Sequence, residues 1–432
     1  MTDDRGDFTL IKAARLIDGT GRPPVDNGAV LIEGPAIMAV GRQADVAAPE
    51  GAPVEVLDFG DKTVMSGMVD CHTHHNGFGD GRPGDDVALI PDEVLTLQSA
   101  RNAHASLMSG VTSIRENGPK NVTMFRLRDA IRAGREIGPR MVLCGRPISI
   151  IGGHMGYFGS EVTGPNEARA MARQLIKEGA DYLKITATGG STATSHPLRP
   201  TFDVDELSAI TDEAGKFGKL TATHCVSAQG IMNSLDAGVD MIIHCVFKEP
   251  DGTDRFREDV AERIARQGAY VNPTLHVFRA RMWALESKQR HGPLNPEDLA
   301  LMDRADRDFE TRLDHCRRMM DMGVKVITGS DSSWGDYMLG NTPYETECLA
   351  MAGCSPMQAV VSVTGEAATA LGIDDVTGTL EPGKAADVIV VDGNPAERVQ
   401  DLWNVTEVFL AGRRLDRGSA ESLASLRQHP PE

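Results

Sequence analysis

The 432-residue chain has little cysteine, no long apolar run and no excess of positive charge. The seven cysteines form an odd, sparse set with no Cys-x-x-Cys pair, which argues against a disulfide framework and against a thiolate zinc site. Cys71, Cys225 and Cys245 each lie beside a histidine in an apolar run, where a small buried side chain fills tight space. A reducing cytoplasm is the natural home. No stretch approaches the roughly 18 apolar residues that a membrane span needs. The first residues, MTDDRGDFTLIKAARLIDG, show no basic start followed by an apolar run, so no secretory leader is expected. Lysine and arginine total 44 against 62 acidic residues, a net charge of −18. That balance disfavours a nucleic-acid surface, which needs a basic stripe. With 41% apolar and 25% charged residues, the chain is a soluble globular protein rather than a disordered one.

What is present is repetition of one unit. Short β-branched apolar runs occur at Val64–Val69, Val111–Ile114, Met141–Leu143, Tyr182–Thr186, Leu220–Thr223, Met241–Ile243, Ala269–Val271 and Lys325–Thr328. Most are followed by a polar loop and then helical periodicity, as at Pro91–Ser109, Pro165–Glu178, Asp205–Phe217, Ala228–Ala237 and Arg257–Arg266. Eight buried strands alternating with helices predict a (β/α)₈ TIM barrel of class α/β. The ends differ. Residues 8–63 and 378–416 hold short strands broken by turns, too little on either side for a core of its own. The economical arrangement is one small β-sandwich formed by the N- and C-terminal segments, with the barrel inserted. The expected divisions are 1–63 and 373–420 for the sandwich, 64–372 for the barrel and 421–432 for a tail. Gln289–Arg318 is expected to be helical and to lengthen the seventh connection.

The chemistry lies at the expected C-terminal ends of the barrel strands, where such barrels keep their active sites. In VMSGMVDCHTHH, His72 and His74 are two apart on a strand and so point to one side. Alone, such a pair is equally explained by two hydrogen-bonded polar residues. Lys184 lies inside the buried run ADYLKITATGG, where an ammonium is costly unless paired or neutral. It is either in an ion pair with a barrel carboxylate or a neutral amine that has taken up CO₂ as a carbamate bridging two metals. His224 ends the fifth strand, His244 the sixth, and Asp331 the eighth. Four histidines, a buried lysine and an aspartate at one mouth are hard to explain as packing.

These motifs resemble the amidohydrolase superfamily, in particular its imidazolonepropionase-related, Xaa-Pro dipeptidase-like branch. The resemblance rests on DCHTHH, YLKITATGG, ATHCVSAQGIMNSLDAGVDMIIHC, ITGSD and GTLEPGKAADVIVVDGNP, and it spans nearly the whole chain. It implies that His72, His74, Lys184 and Asp331 hold one divalent ion, and that carboxylated Lys184, His224 and His244 hold a second. Nitrogen and oxygen ligands of this kind suit Zn²⁺. A metal-bridging hydroxide would then attack a carbonyl carbon, with Asp331 passing the proton to the leaving amine. The expected activity is hydrolysis of an amide bond in a dipeptide or N-acyl amino acid. The alternative is a carbamate, urea or cyclic-amide hydrolase acting on a xenobiotic-like molecule. Lys184 argues against a deaminase, and the full ligand set argues against a silent scaffold.

Further candidates come from the loops. The resemblance makes His154, in IIGGHMGYFG, a substrate contact, with Tyr157 beside it; His276, after the seventh strand, is expected to line the mouth. Gly189 and Gly190 are expected to let the backbone pass close to a ligand. His75, Asp70 and Tyr182 read as structural. Substrate choice is expected to lie in Asn76–Asp86, His154–Ser160, His276–Trp283 and Ser332–Gly340. The partners implied are a small-molecule substrate and further copies of the chain, not nucleic acid or membrane.

Overall fold

The computed structural model describes residues 8–334 and 338–418. The tail expected over 421–432 lies outside them. Two parallel sheets form the centre. One pairs Met68–Thr73, Val111–Glu116 and Arg140–Leu143; the other pairs Leu183–Thr186, Thr221–His224, Met241–Ile243 and Tyr270–Asn272. Backbone bonds link them. The Asp181 amide donates to the Leu143 carbonyl at 2.7 Å, and the Ile148 amide to that of Lys184 at 2.8 Å. On the other side Val271 pairs with Val326, and the Cys71 amide donates to the Thr328 carbonyl at 3.1 Å. Lys325–Thr328 is therefore held by an isolated bridge and single bonds rather than by a regular strand.

Helices cover these sheets. The five expected from periodicity are found at Asp92–Met108, Gly164–Glu178, Val204–Lys216, Ala228–Asp236 and Glu258–Gln267. Asp203 and Glu206 form a reciprocal capping box at the start of the third. The helical segment expected over Gln289–Arg318 is two helices, Leu275–His291 and Pro296–Asp321, separated by a break at 292–295. The first of these also replaces the loop expected at His276–Trp283. Its first two amides donate to the buried Glu345 carboxylate at 2.9 and 2.6 Å, so a residue 69 positions away caps it.

Both chain ends enter one eight-stranded mixed sheet. From the N-terminal side come Phe8–Ile17, Val25–Glu33, Ala36–Arg42, Val54–Asp58 and Thr63–Ser66; from the C-terminal side come Val388–Val391, Val405–Leu410 and Arg413–Arg414. Thr63–Ser66 pairs with Arg15–Ile17 on one side and with Val388–Val391 on the other. The single strand expected at Val64–Val69 is thus two strands of different sheets, divided at Gly67. A Cβ there would sit 2.1 Å from the Thr112 hydroxyl, so only glycine lets the chain cross between layers. A continuous apolar run hid this change of partner.

Ile11, Val30, Val64, Val388, Val390 and Phe409 pack in one core shared by the two ends. Phe409 is almost wholly buried there. Truncation to Phe409→Ala is expected to cost about 3–5 kcal/mol, read as a lower midpoint in chemical denaturation.

Candidate metal centre

The strand Met68–Thr73 carries His72 outward at its C-terminal end, and His74 follows on the same side. The Asp331 amide donates to the His72 carbonyl at 2.7 Å, which brings the last segment against the first strand. As a result, His72 Nε2, His74 Nε2 and Asp331 Oδ1 converge, with separations of 3.1 Å between the two nitrogens and 3.2 and 3.1 Å from each nitrogen to the oxygen. An ion about 2.0–2.1 Å from each ligand in a tetrahedral array puts ligand atoms about 3.3 Å apart. The three atoms therefore fit one face of such a site, and they form a group able to hold a metal.

The surrounding hydrogen bonds set the tautomers. His72 Nδ1 donates to Asn272 Oδ1 at 3.0 Å, while the Asn272 amide nitrogen donates to the Gly329 carbonyl at 3.1 Å. That leaves Nε2 of His72 with its lone pair towards Asp331. His224 Nε2 donates to the Gly189 carbonyl at 3.1 Å, leaving Nδ1 with its lone pair. His244 Nδ1 is 2.7 Å from the Thr274 hydroxyl and 4.0 Å from Asp331 Oδ2. The His224 and His244 rings lie 4.5 Å apart, and His244 is 5.5 Å from the His72 ring.

Burial sets the charge states. It pushes His72 and His224 well below the usual histidine range and His244 down to about 4, so these three imidazoles are neutral, the state that metal binding requires. Burial works against the Asp331 carboxylate, but His72 and His74 outweigh it and hold the group well below the usual range. Burial also lowers Lys184 to about 8, with Asp331 opposing. Lys184 is 1% exposed and has no ion pair among the described residues, so the ion pair that the sequence left open is not formed.

These groups share one cavity of about 570 Å³, whose lining includes His72, His74, Lys184, His224, His244 and Asp331. His154 and Tyr157 line it too. His154 Nδ1 bonds the Thr192 hydroxyl at 3.0 Å, and its ring stands 4.5 Å from that of His224. A Cβ on Gly190 would come within 2.6 Å of the His154 ring, so this glycine makes room for the histidine. His276 is placed elsewhere: fully buried, 5.4 Å from the Trp283 ring and 5.6 Å from that of Tyr344, and outside the described lining. His75 bonds Glu116 at 3.0 Å, and the Tyr182 hydroxyl donates to the Glu116 carbonyl at 2.7 Å, both structural. Among the described residues, half of the eight non-glycines with positive φ line this cavity: Met155, His244, Thr274 and Asp331. Such strain of about 1–3 kcal/mol per residue collects at functional sites.

The lining also contains Arg82 and Trp334, from two of the loops expected to choose substrate, and Lys248, Asp254 and Arg312, which lie outside those loops. Of these three, Lys248 carried a local signal, alternating with His244 and Val246.

The amidohydrolase family model matches residues 63–415. The chain belongs to the amidohydrolase family. This amidohydrolase is a hydrolase of carbon–nitrogen bonds. It is 26% identical to an ochratoxinase of Aspergillus niger, over 95% of this chain and 87% of that one. An imidazolonepropionase of Mesorhizobium japonicum is 24% identical over 90% and 92%. Among solved structures, a Xaa-Pro dipeptidase with methionine bound in its active site matches with a TM-score of 0.80 and 28% identity, over 95% and 100% of the two chains. Among the described residues, no helix of this amidohydrolase is long and apolar enough to cross a membrane.

Asn272 fixes the ring of His72 without being a ligand. Asn272→Ala is expected to weaken metal affinity by about 10–100-fold, measured by competition against a chelator.

Proposed function

We propose that this amidohydrolase is a binuclear metal enzyme that hydrolyses the amide bond of an N-acyl amino acid or dipeptide. The observation that carries the reading is the convergence of six potential ligands in one cavity, with His72, His74 and Asp331 at coordination spacing. The two parallel sheets and their linking bonds are read as one closed (β/α)₈ barrel, and the terminal sheet as a small sandwich around the core that both ends share. Two divalent ions, Zn²⁺ being the natural choice, would supply a water of near-neutral pKa and polarise the carbonyl oxygen. His72, His74, Lys184 and Asp331 would hold one, and Lys184, His224 and His244 the other.

The carbamate on Lys184 follows from its setting. A buried amine lowered towards neutrality and without an ionic partner is a ready nucleophile for CO₂. Its lone pair forms the N–C bond, one proton leaves to solvent, and the resulting anion has two oxygens for two ions. Asp331 handles the reaction's proton. Its Oδ1 belongs to the ligand face, while Oδ2, turned towards His244, is free to take the proton of the attacking water and return it to the leaving nitrogen. His154, held by Thr192 through Nδ1, has Nε2 left for a substrate oxygen.

The relatives bear on substrate only by analogy. Ochratoxinase, imidazolonepropionase and Xaa-Pro dipeptidase keep amide chemistry ahead of carbamate or urea chemistry, which remains the second reading.

Metal-loaded protein should cleave members of an N-acyl amino acid and dipeptide library and hold about two ions per chain; cleavage of aryl carbamates and ureas alone would reverse the order. Asp331→Asn should lose about 10²–10⁴-fold in kcat. Lys184→Ala should lose the second ion and activity, with partial recovery on adding a small carboxylic acid; native metal content in that variant would remove the carbamate.

A further inference from the structure

The charged groups of the cavity wall are almost all occupied. Arg82 pairs with Asp80 at 2.6 Å. Arg312 pairs with Asp254, and His315 lies 3.5 Å from the other oxygen of that carboxylate. Lys184, His72, His74, His224, His244 and Asp331 belong to the metal centre. Asp308 stands on the exposed rim, where water screens it. Lys248 is the exception within the wall: half-buried, and without an ion pair or side-chain hydrogen bond among the described residues.

Its position is fixed by backbone. The Ala228 amide donates to the Lys248 carbonyl at 2.9 Å, and Lys248 pairs antiparallel with Asp254 across a tight turn in which the Glu249 amide donates to the Thr253 carbonyl at 2.9 Å. The turn thus presents Lys248 on one limb while the other limb's Asp254 is neutralised by Arg312. His244, Val246 and Lys248 alternate along the chain and all line the cavity. Four residues span at most about 14 Å, so the ammonium is within reach of a group attached to a substrate held at His244. The apolar side is elsewhere: Trp334, 5.2 Å from the His74 ring, stacks on Phe158 at 6.0 Å, and Tyr157 and Met155 adjoin it.

We propose that Lys248 is the anchor for a free carboxylate on the amine side of the scissile amide, with the acyl group set against Trp334 and Tyr157. The inference rests on the amide-hydrolase reading and deepens it: the substrate is an acylated amino acid whose carboxylate is recognised, rather than a neutral amide. A half-buried ammonium with no protein partner gains a charge-assisted bond when such a substrate enters. A neutral carbamate or urea gives it nothing.

The test compares metal-loaded wild-type and Lys248→Met proteins on N-acetyl-L-phenylalanine and on its carboxamide, following release of acetate. Wild type should favour the acid. In Lys248→Met the KM for the acid should rise by about 10–100-fold, and the acid-over-carboxamide ratio of kcat/KM should fall towards one. Lys248→Arg should keep most of that ratio, and Lys248→Glu should invert it. An unchanged ratio in Lys248→Met overturns the anchor. If wild type cleaves neither compound but does cleave aryl carbamates, the function reading fails by itself. Calorimetric titration of N-acetyl-L-phenylalanine into both proteins then decides the anchor: weaker binding to Lys248→Met upholds it, and equal or absent binding in both overturns it.

Discussion

The carboxylate of Asp70 is wholly buried and accepts from the His72 amide at 3.0 Å, the Ser330 amide at 3.0 Å and the Thr342 hydroxyl at 2.6 Å. Those donors come from the first parallel strand, the last central segment and the helix beyond it. One side chain therefore ties together segments some 260 residues apart. The backbone bonds Cys71 to Thr328 and Asp331 to His72 run beside it. The candidate metal face depends on this junction, because His72 and His74 come from one side of it and Asp331 from the other. Such a buried acceptor stays only while its donors do, so the junction is held or lost as a unit.

Around that junction, desolvation does most of the chemistry. Water is excluded from His72, His224 and His244, which keeps them neutral, and from Lys184, which lowers its basicity. The positive-φ backbone at His244, Thr274 and Asp331 shows that the fold holds these residues away from relaxed geometry to aim them inward. Protons are assigned by neighbours that take no part in the reaction: Asn272 for His72 and the Gly189 carbonyl for His224. The three thiols beside histidines stay protonated; burial pushes Cys71 up to about 12 and Cys225 to about 11, and it raises Cys245 further still. They are packing, as their apolar surroundings implied.

Much of this was legible in the residues. Helical periodicity located five of the covering helices to within a residue at either end, and the His-x-His pair, the buried lysine and Asp331 marked the cavity. What was not legible has a common cause. The division of Val64–Val69 at Gly67 depends on which sheets accept the two halves, and an apolar run is the same string either way. The helix at Leu275 starts without a local cap because Glu345 caps it from 70 positions away. His154, singled out by the resemblance, and His276, singled out by following the expected seventh strand, part company: His276 packs against Trp283 and Tyr344 while His154 lines the cavity.

The sequence by itself determined the α/β class of the fold through local period, and its residue types, with the resemblance they carry, drew together six candidate residues that line one cavity. Only the tertiary structure decided which ring nitrogen of His72 and of His224 keeps its lone pair, which glycine must be a glycine, and which cations of the wall are already paired. Those are questions of distance between residues far apart in the chain. Lys248 shows the difference. In the sequence it is one of 44 basic residues; in the folded chain it is a cation of the cavity wall, bridged across the turn to Asp254, which Arg312 already neutralises.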